Sequence, residues 1–423
     1  MDKAEILELF ELPYSDLLLL SSDCVQSSSS SPAELQRLDL VKRHIMETLG
    51  PMGPGLLSVS GVPNSSVLRR DLPLARNLAL LDSDRRIRIL KENQLGSDVP
   101  LKNPGRNVSS FAMQLRYGEQ NSSSRGDLVF SDRAKEFENL GGNLKELGFC
   151  MMELGLRLAR VCDSAIGGRE LEQSLLESRA SKGRLIHYHS KLDARLLLKL
   201  NAKKKGENSK REQKKIEQAH VEQEASKACS GSDLWQQWHY DYGIFTILTA
   251  PLFLLQAIEE EDQFMEYRYK ECGYPNGHTC LQIHDPNKKG IFMANSSPES
   301  FIIQVGESAE VLSKGKLRAA LHSVSRPGKL ENLSRETFVV FLQPAWEKVL
   351  CISGDPMKCL GLEDQCLNPL SSEEEEGIGE RIEEIEKVVP PLSSRLKNGM
   401  TFAEFSRETT RQYYGGSGLQ SNR

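Results

Sequence analysis

Two hydrophobic periods run along this chain, and one gives way to the other midway. Behind Ser31-Pro32, the residues Leu35, Leu38, Leu40, Val41 and Ile45 recur at near-helical spacing. That pattern predicts an amphipathic helix with proline in its first turn. Gly50 to Pro54 ends it, and Leu56 to Val62 reads as a short strand before a Gly-Val-Pro turn. Past a serine-rich loop at Asn121 to Arg125, Ser131 is a candidate N-cap for a long helix. Its face would be Phe137, Leu140, Leu144, Leu147, Met151 and Leu154. The Gly141-Gly142 pair works against that helix.

From residue 183 the pattern turns to strands. Residues 183–199 open a strand-rich core, and in Leu234 to Gln256, 14 of 23 residues are hydrophobic, with many aromatic and β-branched types. Cys280 to Ile283, Ser300 to Val305 and Thr337 to Leu342 predict further strands, separated by turns at Pro286-Asn287, Lys314-Gly315 and Pro327-Gly328. No strand–helix–strand alternation is visible. A sandwich or jelly roll is therefore preferred to a doubly wound parallel sheet.

Composition narrows the function classes. The chain has 423 residues, a formal charge of −5 and a sequence pI of about 6.0, which disfavours a globally basic nucleic-acid binder. Mean hydropathy is −0.43, and no apolar run approaches the roughly 20 residues of a membrane-spanning helix. Met1 to Ser22 is acidic before Leu17–Leu20, unlike a secretory signal. Nine cysteines without a CxxC pair point to reduced thiols. The expected location is thus the cytoplasm, with the nucleus as a second compartment.

Two segments depart from the average. Only 7 of 32 residues between Asn201 and Ser232 are hydrophobic, and Lys203, Lys204, Lys205, Lys210, Arg211, Lys214 and Lys215 cluster there against Glu207 and Glu212. A solvated insertion is the plain reading. A nuclear-import or nucleic-acid patch is the sharper one, weakened because no aromatic residue is interleaved for base stacking. Glu373 to Glu386 carries eight glutamates against Arg381 and reads as a solvated linker before Pro390-Pro391.

The informative tripeptide is His239-Tyr240-Asp241. Residues two apart on a strand project to one face, so the imidazole and carboxylate can meet one metal ion. His322, flanked by hydrophobic residues in Leu317 to Val324, supplies a second histidine from another strand. Two histidines and one carboxylate leave three positions of an octahedron open, the arrangement of non-haem Fe(II) oxygenases. Zinc fits less well, because catalytic zinc sites open one position. Thirteen residues on, Arg335 and Thr337 share a face and suit the far carboxylate of a dicarboxylate ligand. Cys272, His278 and Cys280 are read as ordinary surface residues rather than a metal clip, and Arg326 as part of a turn at Pro327. Gly415 to Gly418 is read as a flexible end, and Met400 to Tyr414 as a helix packed on the core.

Taken in order, these motifs resemble the plant-type Fe(II)/2-oxoglutarate-dependent dioxygenases, the isopenicillin N synthase-like family. His239-Tyr240-Asp241 matches its HxD, His322 its distal histidine, and Arg335-Glu336-Thr337 its RxS with the hydroxyl kept. Val305-Gly306-Glu307 and Leu312 to Lys316 resemble the approach to the distal histidine. Arg184 to Tyr188 resembles the strand whose tyrosine contacts 2-oxoglutarate. Departures are Ile186 for the asparagine, His189-Ser190 for Pro-Pro, and Glu307 for aspartate. The resemblance is close over 183–345 and loose before it.

It implies a mixed α and β chain built on a double-stranded β-helix (jelly roll) with flanking helices. The cap is expected at 1–130. The core is expected at 131–350, with insertions near 200–233 and 251–279, and a C-terminal extension at 351–423. It further implies Fe(II) on His239, Asp241 and His322, and 2-oxoglutarate held by Arg335 and Thr337 with help from Tyr188. O₂ is the oxidant and ascorbate a candidate reductant. The implied activity is oxidation of a C–H bond of a small organic substrate, releasing succinate and CO₂. The expected form is a monomer, with neither membrane nor nucleic acid as partner. The competing reading is a binding or regulatory protein that keeps the jelly roll, has lost turnover, and uses its charged insertions as partner surfaces.

Overall fold

The structure, a computed structural model, describes residues 5–22, 31–97, 106–117, 135–206, 234–256, 269–351, 385 and 387–414. Its strands are β1 (Ile6–Glu8), β2 (Glu11–Pro13), β3 (Leu56–Ser60), β4 (Gly96–Ser97), β5 (Val108–Arg116), β6 (Ala180–Tyr188), β7 (Leu234–His239) and β8 (Phe245–Thr249). They continue with β9 (Leu252–Gln256), β10 (Tyr269–Cys272), β11 (Leu281–Asp285), β12 (Gly290–Asn295), β13 (Phe301–Val305), β14 (His322–Ser325) and β15 (Leu333–Leu342).

These strands form two sheets. The smaller runs β1-β12-β11-β14-β7, and the larger runs β2-β3-β13-β8-β15-β6-β5-β4. The larger sheet divides its side chains by alternation. One face carries Leu185, Ile247, Ile303, Phe338 and Val340, which join the main hydrophobic core with the helix Leu140–Ile166. The other carries Ile186, Tyr188, Leu248, Phe253, Ile302 and Val339, which pack with Leu281, Ile283 and Val324 of the smaller sheet. The space between the sheets is therefore apolar, and the polar side chains on that inner face are exceptions. This is the jelly roll with flanking helices that the family resemblance implies, one of the two architectures the strand pattern left open.

The long helix begins at Leu140, with Asn139 in the left-handed conformation at its N-cap. Ser131 lies outside the described residues. Gly141 and Gly155 strengthen this element rather than weaken it. A Cβ at Gly141 would lie 2.3 Å from the Asn93 carbonyl oxygen, and one at Gly155 would lie 2.2 Å from Leu342 Cδ1. Glycine lets the helix seat against backbone at one end and against the sheet further along, which offsets its low propensity.

Three expectations change in detail. After β6 the chain does not continue as strand: Lys191–Gly206 is helical. Asp193 opens that helix by accepting from the Ser190 amide and hydroxyl, at 3.1 and 2.7 Å. The segment 251–279 contains β9 and β10, and β9 pairs with β15 so that Phe253 faces Arg335. Cys280 and His278 are buried rather than exposed, with Cys272 half-buried. The rest of the lysine-rich segment beyond Gly206, the Asn121–Arg125 loop, most of Glu373–Glu386 and the Gly415–Gly418 run lie outside the described residues.

The His189-Ser190 departure has a structural partner set. His187 donates from Nδ1 to Glu336 at 2.9 Å, and its Nε2 lies 3.6 Å from Asp193. Asp193 also pairs with Arg76 at 2.8 Å, all four residues being almost fully buried. His189 meets the Ser109 hydroxyl at 2.9 Å, and its carbonyl accepts from Trp235 Nε1 at 2.8 Å. This network ties two helices to the ends of β6 and β15, where Tyr188 and Arg335 sit.

Packing and burial here generate two expected outcomes. Gly155→Val should lower stability by about 1–3 kcal/mol through overpacking, measured by urea unfolding. Burial, then His187 and nearby arginines, hold His189 well below the usual imidazole range. Its folded pKa is thus below its unfolded value near ~6.5, so its stabilisation is complete above that pH and is lost on acidification below it. His189→Gln should flatten the fall in melting temperature between about pH 7 and 5; an unchanged slope would refute this.

Candidate metal centre

The site begins with a register. In the ladder between β7 and β14, His322 stands directly opposite His239. Their rings lie 4.2 Å apart between centroids, tilted by 51°. Asp241, two residues past His239, brings its Oδ1 within 3.9 Å of His239 Nε2 and its Oδ2 within 3.8 Å of His322 Nε2. One ligand atom from each of the three lies within 4.8 Å of the others, the one such grouping of histidine, cysteine and carboxylate groups among the described residues.

Neighbouring groups fix the ligand atoms. His239 Nδ1 donates to the Gln237 carbonyl at 2.7 Å, and His322 Nδ1 donates to the Ala320 carbonyl at 2.9 Å. With Nδ1 engaged in this way, each ring turns Nε2 toward the centre, the nitrogen a metal would take. Gln236 donates its amide to His239 Nε2 at 2.9 Å, consistent with a proton on Nδ1. Burial, then His322 alongside, push the His239 pKa down to about 4, so the imidazole is neutral. Thr246 donates to Asp241 Oδ2 at 2.7 Å, which orients the carboxylate.

This donor set fits a single first-row metal ion. Three facial ligands at about 2.1 Å would stand about 3 Å from one another, so spacings within 4.8 Å would contract by up to about 2 Å around an ion. Two imidazoles and one carboxylate suit iron(II), and no thiolate is present to select a softer ion.

Arg335 lies deeper, on the inner face of the large sheet, and is 1% exposed. Its register partner is Tyr188, whose ring lies 5.0 Å beneath the guanidinium. Nε donates to the Thr279 carbonyl at 3.1 Å, while Nη1 is buried with no partner among the described residues. A buried guanidinium with an unused donor is costly unless an anion completes it. Thr337 shares Arg335's face, but its hydroxyl donates to the Thr249 carbonyl at 3.1 Å. It would have to rotate to serve a carboxylate. Tyr188 donates its hydroxyl to Gln236 Oε1 at 3.0 Å, so an unbroken chain runs from Arg335 through Tyr188 and Gln236 to His239. Arg326 follows β14, half-buried and near enough to His189 to act on it electrostatically.

Thr246 and Gln236 bond to the candidate ligands and Gln304 is the register partner of Thr246, yet no sequence motif marks any of the three. Gln304 on β13 faces Thr246 across the ladder, and both polar atoms of its carboxamide are buried without partners among the described residues. Only knowledge of the register would have placed it on the inner face.

No family model matches the sequence, and no curated protein matches it. Solved structures do. A full-length Neurospora crassa protein in complex with alpha-KG and 5-formyluracil matches with a TM-score of 0.52 at 13% identity, over 98% of this chain and 99% of that one. The same Neurospora crassa protein in complex with alpha-KG and thymine matches with a TM-score of 0.51 at 13% identity, over 97% and 98%. The likeness shows a shared fold, spanning nearly the whole length of both chains. No helix among the described residues is long and apolar enough to cross a membrane.

Thr246→Val should leave the fold intact and weaken Co(II) binding about 10–100-fold, because the ligating carboxylate loses its orienting donor. Titration of the cobalt d–d bands measures it, and unchanged affinity would remove Thr246 from the site.

Proposed function

We propose that this protein is an Fe(II)- and 2-oxoglutarate-dependent oxygenase of the plant-type branch, oxidising a C–H bond of a small organic molecule. The observation that carries the reading is the convergence of His239, Asp241 and His322, one possible ligand atom of each lying within 4.8 Å of the others, on the smaller sheet of a jelly roll. A buried arginine with an unused donor stands on the inner face of the larger sheet.

His239, Asp241 and His322 would hold the metal through Nε2, a carboxylate oxygen and Nε2. Iron(II) bound there supplies the redox chemistry that couples oxidative decarboxylation of 2-oxoglutarate by O₂ to oxidation of the substrate. The chain's own residues do the rest. Arg335 Nη1 receives the far carboxylate, and Tyr188 supports the guanidinium from below. Thr337 adds a hydroxyl once it turns from Thr249. The inner walls, Ile186, Leu248, Phe253, Ile302 and Val339, keep the interior dry, which strengthens the arginine–carboxylate contact. A binding protein without turnover has no chemical need for this full set, so the oxygenase reading is preferred. The Neurospora crassa protein is described in complex with thymine and with 5-formyluracil. Gln304 offers one donor and one acceptor side by side, so small molecules with an amide or lactam edge head the substrate panel.

Anaerobic addition of Fe(II) and 2-oxoglutarate should raise a weak visible metal-to-ligand charge-transfer band, and His239→Ala should abolish it. No band in the wild-type protein would move the reading to a binding or regulatory role. Arg335→Met should weaken 2-oxoglutarate about 30-fold or more, since truncating one partner of a buried charged pair costs about 2–5 kcal/mol. Titration of the same band reads that loss.

A further inference from the structure

Glu307, the departure that stands next to Gly306, has a partner 88 residues away. Its carboxylate receives a two-pronged contact from Arg395: Nη1 to Oε2 at 2.7 Å, and Nη2 to Oε1. Glu307 is 2% exposed and Arg395 is fully buried. Arg395 is held in turn by the Pro390 carbonyl at 3.0 Å and the Thr409 hydroxyl at 3.1 Å. It also packs over the rings of Tyr413 and Phe405. All of these partners belong to the C-terminal segment, which includes the helices Leu392–Arg395 and Phe402–Tyr414.

The backbone beside Glu307 holds the loop of the metal centre. The Glu307 amide donates to the Asp241 carbonyl at 2.8 Å, the Ser308 amide to Gly243 at 3.0 Å, and the Gly306 amide to Ile244 at 2.9 Å. The two loops touch so closely that a Cβ on Gly306 would lie 2.3 Å from the Gly243 oxygen. The other ligands meet the same segment through their neighbours. Tyr240, between His239 and Asp241, donates its amide to the Tyr413 hydroxyl at 3.2 Å. Trp238 and Leu321, which precede His239 and His322, pack with Ile385 and Val389.

We infer that Arg395 is a positioning residue for the metal centre: by clamping Glu307 it fixes the Asp241 loop, and the C-terminal segment is a brace on which metal affinity depends. This rests on the oxygenase reading, since it takes His239, Asp241 and His322 as the ligands. A planar guanidinium in a two-pronged contact sets both distance and orientation, which a lysine cannot do. Outer groups that orient a ligand typically change metal affinity 10–100-fold when removed, as an order of magnitude.

The test measures Co(II) affinity and thermal unfolding of the metal-free, full-length protein, in the wild type and in Arg395→Met, Arg395→Lys and Glu307→Gln. Arg37→Met, which removes the Arg37–Asp16 pair far along the chain, serves as a control. The brace predicts that Arg395→Met loses about 10–100-fold in Co(II) affinity, that Arg395→Lys and Glu307→Gln lose less, and that Arg37→Met loses none. A role confined to gluing the C-terminus down would lower the melting temperature and leave the affinity of the folded protein unchanged. That result in Arg395→Met overturns the inference. Should Arg395→Met fail to fold, unchanged affinity in both Arg395→Lys and Glu307→Gln overturns it equally. No Co(II) binding by the wild type would instead overturn the oxygenase reading, and the brace with it.

Discussion

The cross-strand pairing of His322 with His239 is the constraint from which the rest of the centre follows. A shift of one residue in the β7–β14 ladder would turn one imidazole to the opposite face of its sheet. With the pair in register, Asp241 needs only the two-residue period of a strand end to reach the same point. The irregularities in this ladder lie just past the pair, between His322 and Val324 and between Val324 and Ser325. Carbonyls of Gln237 and Ala320, each two residues before its histidine, then select the tautomer. Ligand orientation is thus built from backbone, the least mobile material available.

The large sheet has to satisfy opposite demands on its two faces. The outward face must exclude water against the Leu140–Ile166 helix, which it does with aliphatic and aromatic side chains, the helix supplying Gly155 where the two come closest. Inward, it must be apolar yet carry Arg335. β15 resolves the conflict by alternation: Arg335 and Thr337 point inward, while Glu336 points outward into the buried network of His187, Asp193 and Arg76. A charged residue on each side of one strand is expensive to bury, and each is offset by specific partners, save for Arg335 Nη1. That single unmet donor is the reason an anionic ligand is expected there.

What the sequence made legible was governed by short-range periodicity. The HxD pair, Arg335 with Thr337, and the strand-rich character of 234–256 all follow from residues two apart. His322 was legible because a histidine among apolar neighbours is an exception. Hidden from this reading were the relationships that depend on tertiary register. Arg395 and Glu307 are too far apart in sequence for any pattern to join them, and Gln304 and Thr246 lie in hydrophobic strand runs where no motif sets them apart. The helix after Tyr188 was also missed, because Leu196, Leu197 and Leu198 are compatible with either element when taken alone. The Ser190–Asp193 cap is the local signal that would have identified it.

X-ray absorption at the iron edge of the anaerobic Fe(II) protein, with 2-oxoglutarate present, tests the central claim most directly. The account predicts a six-coordinate shell of nitrogen and oxygen with imidazole scattering from two histidines, and loss of one of the two in a folded His322→Ala protein. An iron shell that keeps both imidazoles in that variant would contradict the assignment of His239, Asp241 and His322 as the metal centre.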